Sequence, residues 1–212
     1  MWTLIEGVDA VGKSTVIKSI INSWEGSIKA LHDPGVHEDH EVCQELRKIV
    51  KYKQLDADAE TLLFMACRKE LVAEIKRLND QNIDVVVDRY RASTIIYQGI
   101  MKNRMELITR MEQACNFPVP DISFYLFAPF EVLTERLIKR NGNIDKFKSN
   151  EDFRKRVWYA YDEFIEKEIE KSPYTYRIDA SGTETEVFEM VFSKIQQYKA
   201  IKREKKWQHL KK

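Results

Sequence analysis

Eight residues near the start of the chain, Gly7-Val8-Asp9-Ala10-Val11-Gly12-Lys13-Ser14, have the spacing of a phosphate cradle. Glycines at both ends let the backbone curl until successive N–H groups point at one anion, and a helix that starts there adds its positive pole. Lys13 is placed to neutralise β- and γ-phosphates, the Ser14 hydroxyl to hold Mg²⁺, and Thr15 to bond an α-phosphate. The pattern G-x-x-x-x-G-K-[ST] carries this chemistry only between a strand and a helix. The apolar run Trp2–Glu6 before it and the helical period after Lys13 supply that context.

A second constellation is the apolar run Ile83–Asp88 followed by Arg89, which delivers a carboxylate and then a guanidinium at one strand end. Asp88 suits a magnesium-bound water, and Arg89 suits two-point capture of a phosphoryl group. An Asp–Arg pair that only closes a strand end is the alternative. Phe64 and Arg68 are spaced i, i+4 and share one helix face, where a ring stacks on a base and a cation donates to a base carbonyl. Core packing is the competing role for Phe64. His32, His37 and His40 crowd one polar turn and read as solvated loop histidines rather than a metal site.

These groups need elements to hold them. Short apolar runs at Trp2–Glu6, Ile28–His32, Ile83–Asp88, Ile122–Phe127 and Tyr174–Asp179 alternate with longer helical stretches, the rhythm of βαβ units. The expected fold is a three-layer α/β/α of the P-loop NTPase kind, a five-stranded parallel sheet with ligands at the carboxyl ends of its strands. With 212 residues and no linker or repeat, the chain reads as one domain over 1–212. The segment of about 141–150, N-G-N-I-D-K-F-K-S-N, interrupts two helical stretches and reads as a short mobile lid. The lysine-rich end, about 199–212, reads as a solvated helix end.

Composition bounds the partners. The 35 Lys and Arg nearly cancel the 34 Asp and Glu, so a net charge of +1 provides no general attraction for nucleic acid, which is not expected as a partner. No apolar stretch is long enough to span a membrane, and no secretion signal is visible at the N-terminus. Cys43, Cys67 and Cys115 are odd in number and far apart, which suggests neither a disulfide framework nor a zinc site and fits a cytoplasmic protein. A guanine-reading N-K-x-D string is absent, which sets a regulatory GTPase aside. An ATP-gated nucleic-acid binder acting through the basic tail is the remaining non-enzyme alternative.

The strings L-L-F-M-A-C-R, V-V-V-D-R-Y-R-A-S-T-I-I-Y-Q-G and P-D-I-S-F-Y-L-F-A-P-F-E-V follow in that order, and with E-G-V-D-A-V-G-K-S-T and R-I-D-A-S-G the chain resembles the thymidylate kinase family from Trp2 to about Ser181. The resemblance implies an ATP-dependent nucleoside monophosphate kinase that transfers the γ-phosphoryl to dTMP with Mg²⁺, working as a homodimer. Another or a modified deoxynucleotide is the alternative acceptor. By matching position, the resemblance implies that Asp9 touches the 3′-hydroxyl of dTMP and Arg89 holds its phosphate. It further implies that Phe64 stacks on thymine, Arg68 donates to O4, Ser93 and Thr94 stand near the base, and Tyr97 crowds the sugar at its 2′ position. Tyr161 resembles a family tyrosine near the acceptor sugar, with a core role as the alternative.

Two departures stand out. Asp33-Pro34-Gly35-Val36-His37 replaces the E-P-G-G-T of many relatives, with a carboxylate one methylene shorter. Ala10 stands where one branch of the family has an arginine, so the cation that stabilises the transferring phosphoryl must come from elsewhere. Arg136, Lys139, Arg140 and Lys146 are the candidates; Arg140 is favoured, and Lys146 matches a family position that often holds arginine.

Overall fold

The computed structural model describes residues 1–37, 40–141 and 150–210. The elements run β1 (Trp2–Gly7), α1 (Lys13–Asn22), β2 (Ile28–His32), α2 (Glu41–Tyr52), α3 (Ala57–Asp80) and β3 (Asp84–Asp88). A four-residue α4 (Arg91–Thr94) passes directly into a π-helical stretch, Ile95–Ile100, before α5 (Met105–Cys115), β4 (Ile122–Phe127) and α6 (Phe130–Asn141). After that come α7 (Glu151–Ile169), β5 (Thr175–Asp179) and α8 (Glu184–Leu210). The lid expected over 141–150 and its Lys146 fall almost wholly outside the described residues, as do Lys211 and Lys212 of the basic end.

The five strands form one all-parallel sheet in the order β2-β3-β1-β4-β5. Every strand proposed from the apolar runs is present. β1 extends one residue further, to Gly7, and β3 and β5 each begin one residue later than the runs suggest. The central strands are apolar on both sides because helices cover both faces. Along β3, Val85 and Val87 enter one buried cluster with Leu71, Ile75 and Leu78 of α3, while Val86 enters the opposite cluster with Val16 and Ile20 of α1. Burying these side chains stabilises the fold by roughly 1.5–3 kcal/mol each. No described helix is long and apolar enough to cross a membrane.

Sheet register sets the position of the chemistry. Ile5 of β1 is level with Asp88 of β3, and the Arg89 N–H donates to the Ile5 carbonyl at 3.0 Å. The turn after β1 and the turn after β3 therefore leave the sheet side by side, at the carboxyl edge where this class of fold gathers ligands.

Candidate active site

The turn after β1 is shaped by its neighbours. Gly7 has φ +146°, and a Cβ there would lie 2.4 Å from the Leu126 carbonyl oxygen of β4, so no other residue fits. Ala10 (φ 64°) and Gly12 (φ 104°) are also left-handed and bend the loop around one centre. Gly12 caps α1 without a side chain, and no acidic residue occupies the first turn, so the amides of Lys13, Ser14 and Thr15 and the helix's positive pole are left for an anion. Lys13 is buried at 7 % exposure and donates to the carbonyls of Gly7 (3.0 Å) and Val8 (2.9 Å). Burial, and next the nearby Arg89 charge, pull its pKa down to about 8.

This loop lines a cavity of about 610 Å³ from Asp9, Ala10 and Val11 through Thr15 and Val16, together with Asp88, Arg89, Arg136, Arg140, Ala180 and Gly182. Asp88 Oδ1 is buried and has no hydrogen-bond partner among the described residues. With the Ser14 hydroxyl on the same wall it makes an oxygen-only donor pair, the type that holds Mg²⁺ when phosphate oxygens and water complete the shell. Among the described residues no group of three or more His, Cys, Asp or Glu forms a metal cage of its own. Arg136 of α6 donates to the carbonyls of Ser181 (3.4 Å) and Gly182 (3.3 Å), which ties the loop after β5 to the rim of this cavity.

A second cavity, of about 560 Å³, opens on the other side of Asp9 and Arg89. Phe64, Ser93, Thr94 and Tyr97 line it, as the sequence leads one to expect, along with Asp33, Pro34, Arg47, Glu60, Gln98 and Lys102. Phe64 is half-buried and belongs to neither core cluster, so its ring serves the cavity rather than the interior. A third cavity, of about 740 Å³, runs between α6 and α7 and shares Asp9, Tyr97 and Arg140 with the other two. Arg140 therefore stands between the first and third cavities, while Lys139 lines none of the three.

Arg89 sits at the junction in a left-handed backbone (φ 69°), unusual for a side chain of its size. Its guanidinium donates to Asp9, to Ser93 Oγ (2.9 Å), to the Tyr161 hydroxyl (3.2 Å) and to the Gly7 carbonyl (3.3 Å). Behind it lies Glu6, fully buried at the end of β1, a residue the sequence reasoning did not single out. Glu6 accepts from the N–H groups of Gly7 and Tyr90 (2.9 Å each) and from Ser93 Oγ and the Tyr161 hydroxyl (3.1 Å each). Tyr161 is wholly buried, lines no part of the second cavity, and bonds to Arg89 and Glu6.

Arg68 departs from expectation. It is fully buried, and Nε and Nη2 each lie 2.7 Å from Asp33 Oδ2, while Nη2 also donates to the Tyr90 carbonyl (3.0 Å) and to Thr94 Oγ1. A buried guanidinium needs a carboxylate and carbonyls around it, and the shortened Asp33 supplies the charge. Arg68 lines no part of the cavity itself and meets it through Thr94 and Asp33, which do. Burial pushes the Asp33 carboxyl up against the pull of Arg68, and its Oδ1 has no partner among the described residues. Arg47, on α2, is a cavity cation that the sequence reasoning missed; it donates to the His32 ring at 3.2 Å.

The family model described as "Thymidylate kinase" matches residues 5–191. The chain belongs to the thymidylate kinase family. A probable thymidylate kinase of Metallosphaera sedula is 33% identical over 67% of this chain and 68% of its own length. The thymidylate kinase of Brachyspira hyodysenteriae is 28% identical over 93% of this chain and 94% of its own. A crystal structure of thymidylate kinase from Ehrlichia chaffeensis superposes with a TM-score of 0.66 at 23% identity, covering 92% of this chain and 98% of that one, and shows the shared fold. As a thymidylate kinase family member, the chain is a nucleoside monophosphate phosphotransferase, so the two cavities meeting at Arg89 have the arrangement that joining two phosphates requires.

Proposed function

We propose that the chain transfers the γ-phosphoryl of ATP to the 5′-phosphate of dTMP, giving dTDP and ADP. One observation carries this reading: Asp9 and Arg89 line both the cavity of the glycine turn and the cavity of Phe64, so two nucleotides bound there face each other phosphate to phosphate. The loop amides and Lys13 hold the donor phosphates, and Lys13 exchanges its two carbonyl partners for phosphate oxygens. Arg89 lets go of Asp9 to grip the acceptor phosphate, which leaves the Asp9 carboxylate for the 3′-hydroxyl. Phe64 stacks on the base, Ser93 and Thr94 stand beside it, and Tyr97 closes on the sugar.

No protein nucleophile is needed, because an acceptor phosphate oxygen attacks in line and the chain supplies position and charge. Ser14 and Asp88 would hold Mg²⁺, which would supply charge neutralisation at the donor phosphates. Arg140, on the wall of the donor cavity, serves as the cation for the transferring group, with Lys146 as its companion from the sequence. A homodimer, which the resemblance implies, belongs to the same reading. The three free cysteines suit a reducing cytoplasm.

The test is an assay of purified protein with ATP, Mg²⁺ and a panel of deoxynucleoside monophosphates. Turnover of dTMP above all others supports the proposal. Transfer by Lys13→Ala near the wild-type rate overturns it, as does a panel in which dTMP is not turned over.

A further inference from the structure

The second cavity is walled by α3 on one side and by α4 with its π-helical extension on the other, and each wall bears a pair of polar residues. On α3, Glu60, Phe64 and Arg68 follow at intervals of four and so share a face. Opposite stand Gln98 and Thr94, both nearly buried and both lining the cavity. The pairing is ordered: Glu60 meets Gln98 and Arg68 meets Thr94, with the Phe64 ring between them.

Chemistry fixes the direction of both hydrogen bonds. A carboxylate only accepts, so the Gln98 side-chain nitrogen must face Glu60 Oε1, at 2.8 Å, and its carbonyl oxygen must point the other way. Lys102 donates to the second Glu60 oxygen at 2.6 Å and keeps that carboxylate charged and in place. A guanidinium only donates, so Thr94 Oγ1 accepts from Arg68 and its own proton is left to give. Among the described residues, no bond is made by the Gln98 carbonyl oxygen and none is donated by the Thr94 hydroxyl.

We infer that Glu60 is a positioning residue for base selection: it turns Gln98 so that a carbonyl oxygen faces the nucleobase beside the Thr94 hydroxyl donor. This inference rests on the reading of the second cavity as the acceptor site. The resulting edge offers one donor and one acceptor side by side. It fits an imide base, where O4 accepts from Thr94 and N3–H donates to Gln98. A 4-aminopyrimidine presents the reverse at both positions and leaves two buried polar groups facing like groups, the kind of mismatch that discriminates by orders of magnitude.

The test compares kcat/KM for dTMP, dUMP and dCMP, with ATP as donor, in the wild-type chain and in Glu60→Gln. In that variant the side chain at position 60 meets either end of the Gln98 amide, and the preference for one orientation is lost. The expected result is a fall of tenfold or more for dTMP and dUMP in parallel, with dCMP unchanged or improved and KM for ATP unmoved. An equal fall for all three nucleotides, or no change for dTMP, overturns the inference and reduces Glu60 to a structural contact. If Glu60→Gln does not unfold cooperatively, Gln98→Met, which keeps the side-chain volume, must show the same split for the inference to stand. A wild-type chain that turns over none of the three refutes the reaction itself, and the inference with it.

Discussion

The buried Glu6 carboxylate accepts a hydrogen bond from the backbone N–H of Tyr90 at 2.9 Å. One anion thus joins the last turn of β1 to the residue after Arg89, and it also holds Gly7, Ser93 and Tyr161. Replacing Glu6 by Gln puts an amide donor against groups that already donate. We expect a loss of about 1–3 kcal/mol of stability in urea unfolding, and a rise in KM for the acceptor nucleotide larger than any rise in KM for ATP. Equal changes in the two constants would reduce Glu6 to a packing role.

Lys13 gives the site a pH signature. Its pKa is about 8 in the fold, against 10.5 normally, so between these values the unfolded chain retains a proton that the folded chain has shed. Stability of the nucleotide-free protein therefore rises with pH over that window, by up to roughly 3 kcal/mol from this group at 1.36 kcal/mol per unit. Lys13→Met lacks the rise, and denaturant midpoints at pH 7.5, 9 and 10 for the two proteins measure the difference. By the same titration, kcat/KM for ATP falls above about pH 8, while kcat holds to higher pH because bound phosphates stabilise the ammonium.

Arg140 and Arg136 lie one turn apart on α6 but are expected to fail differently. Arg140→Ala should lower kcat by about 10²-fold or more with little change in KM for ATP, as for a charge used only when the phosphoryl moves. Arg136 is tied to the carbonyls of Ser181 and Gly182, so Arg136→Ala should mainly raise KM for ATP. Steady-state kinetics with each substrate varied in turn separates the two.

Removing Arg68 strands a charge. Arg68→Met leaves the Asp33 carboxylate buried without its partner and should cost about 3–5 kcal/mol in stability. The double change Arg68→Met with Asp33→Asn should restore a good part of that loss, which thermal unfolding of the four proteins in the cycle reads directly.

The three central strands were legible in the sequence because each is an apolar run buried on both faces, the half-buried edge strands β2 and β5 because their short runs continue the same rhythm, and the glycine turn because its backbone geometry restricts residue type at fixed intervals. Phe64 and Arg68 illustrate the boundary of that reading. Their spacing placed them on one face, but spacing carries no information on depth, and the ring proved to be the wall and the guanidinium the support behind it. Glu6 was hidden for another reason: a single carboxylate closing an apolar strand looks like a strand end, and its partners Tyr90, Ser93 and Tyr161 are 84, 87 and 155 residues away. Glu60 and Arg47 sit on helices dense in charge, where nothing in the one-dimensional pattern marks those that face inward.

The strand order also bears on how the chain comes off the ribosome. β1 is synthesised first yet ends as the central strand, level with Val85 on one side and Ile122 on the other. Its amides and carbonyls can find no sheet partner until β3 has emerged, and its second edge stays open until β4 follows. The glycine turn is therefore made early but acquires its shape late, since the Leu126 carbonyl that crowds Gly7 belongs to β4. A nascent chain stalled before that point should expose a strand that is buried along its whole length in the finished fold to any neighbouring chain.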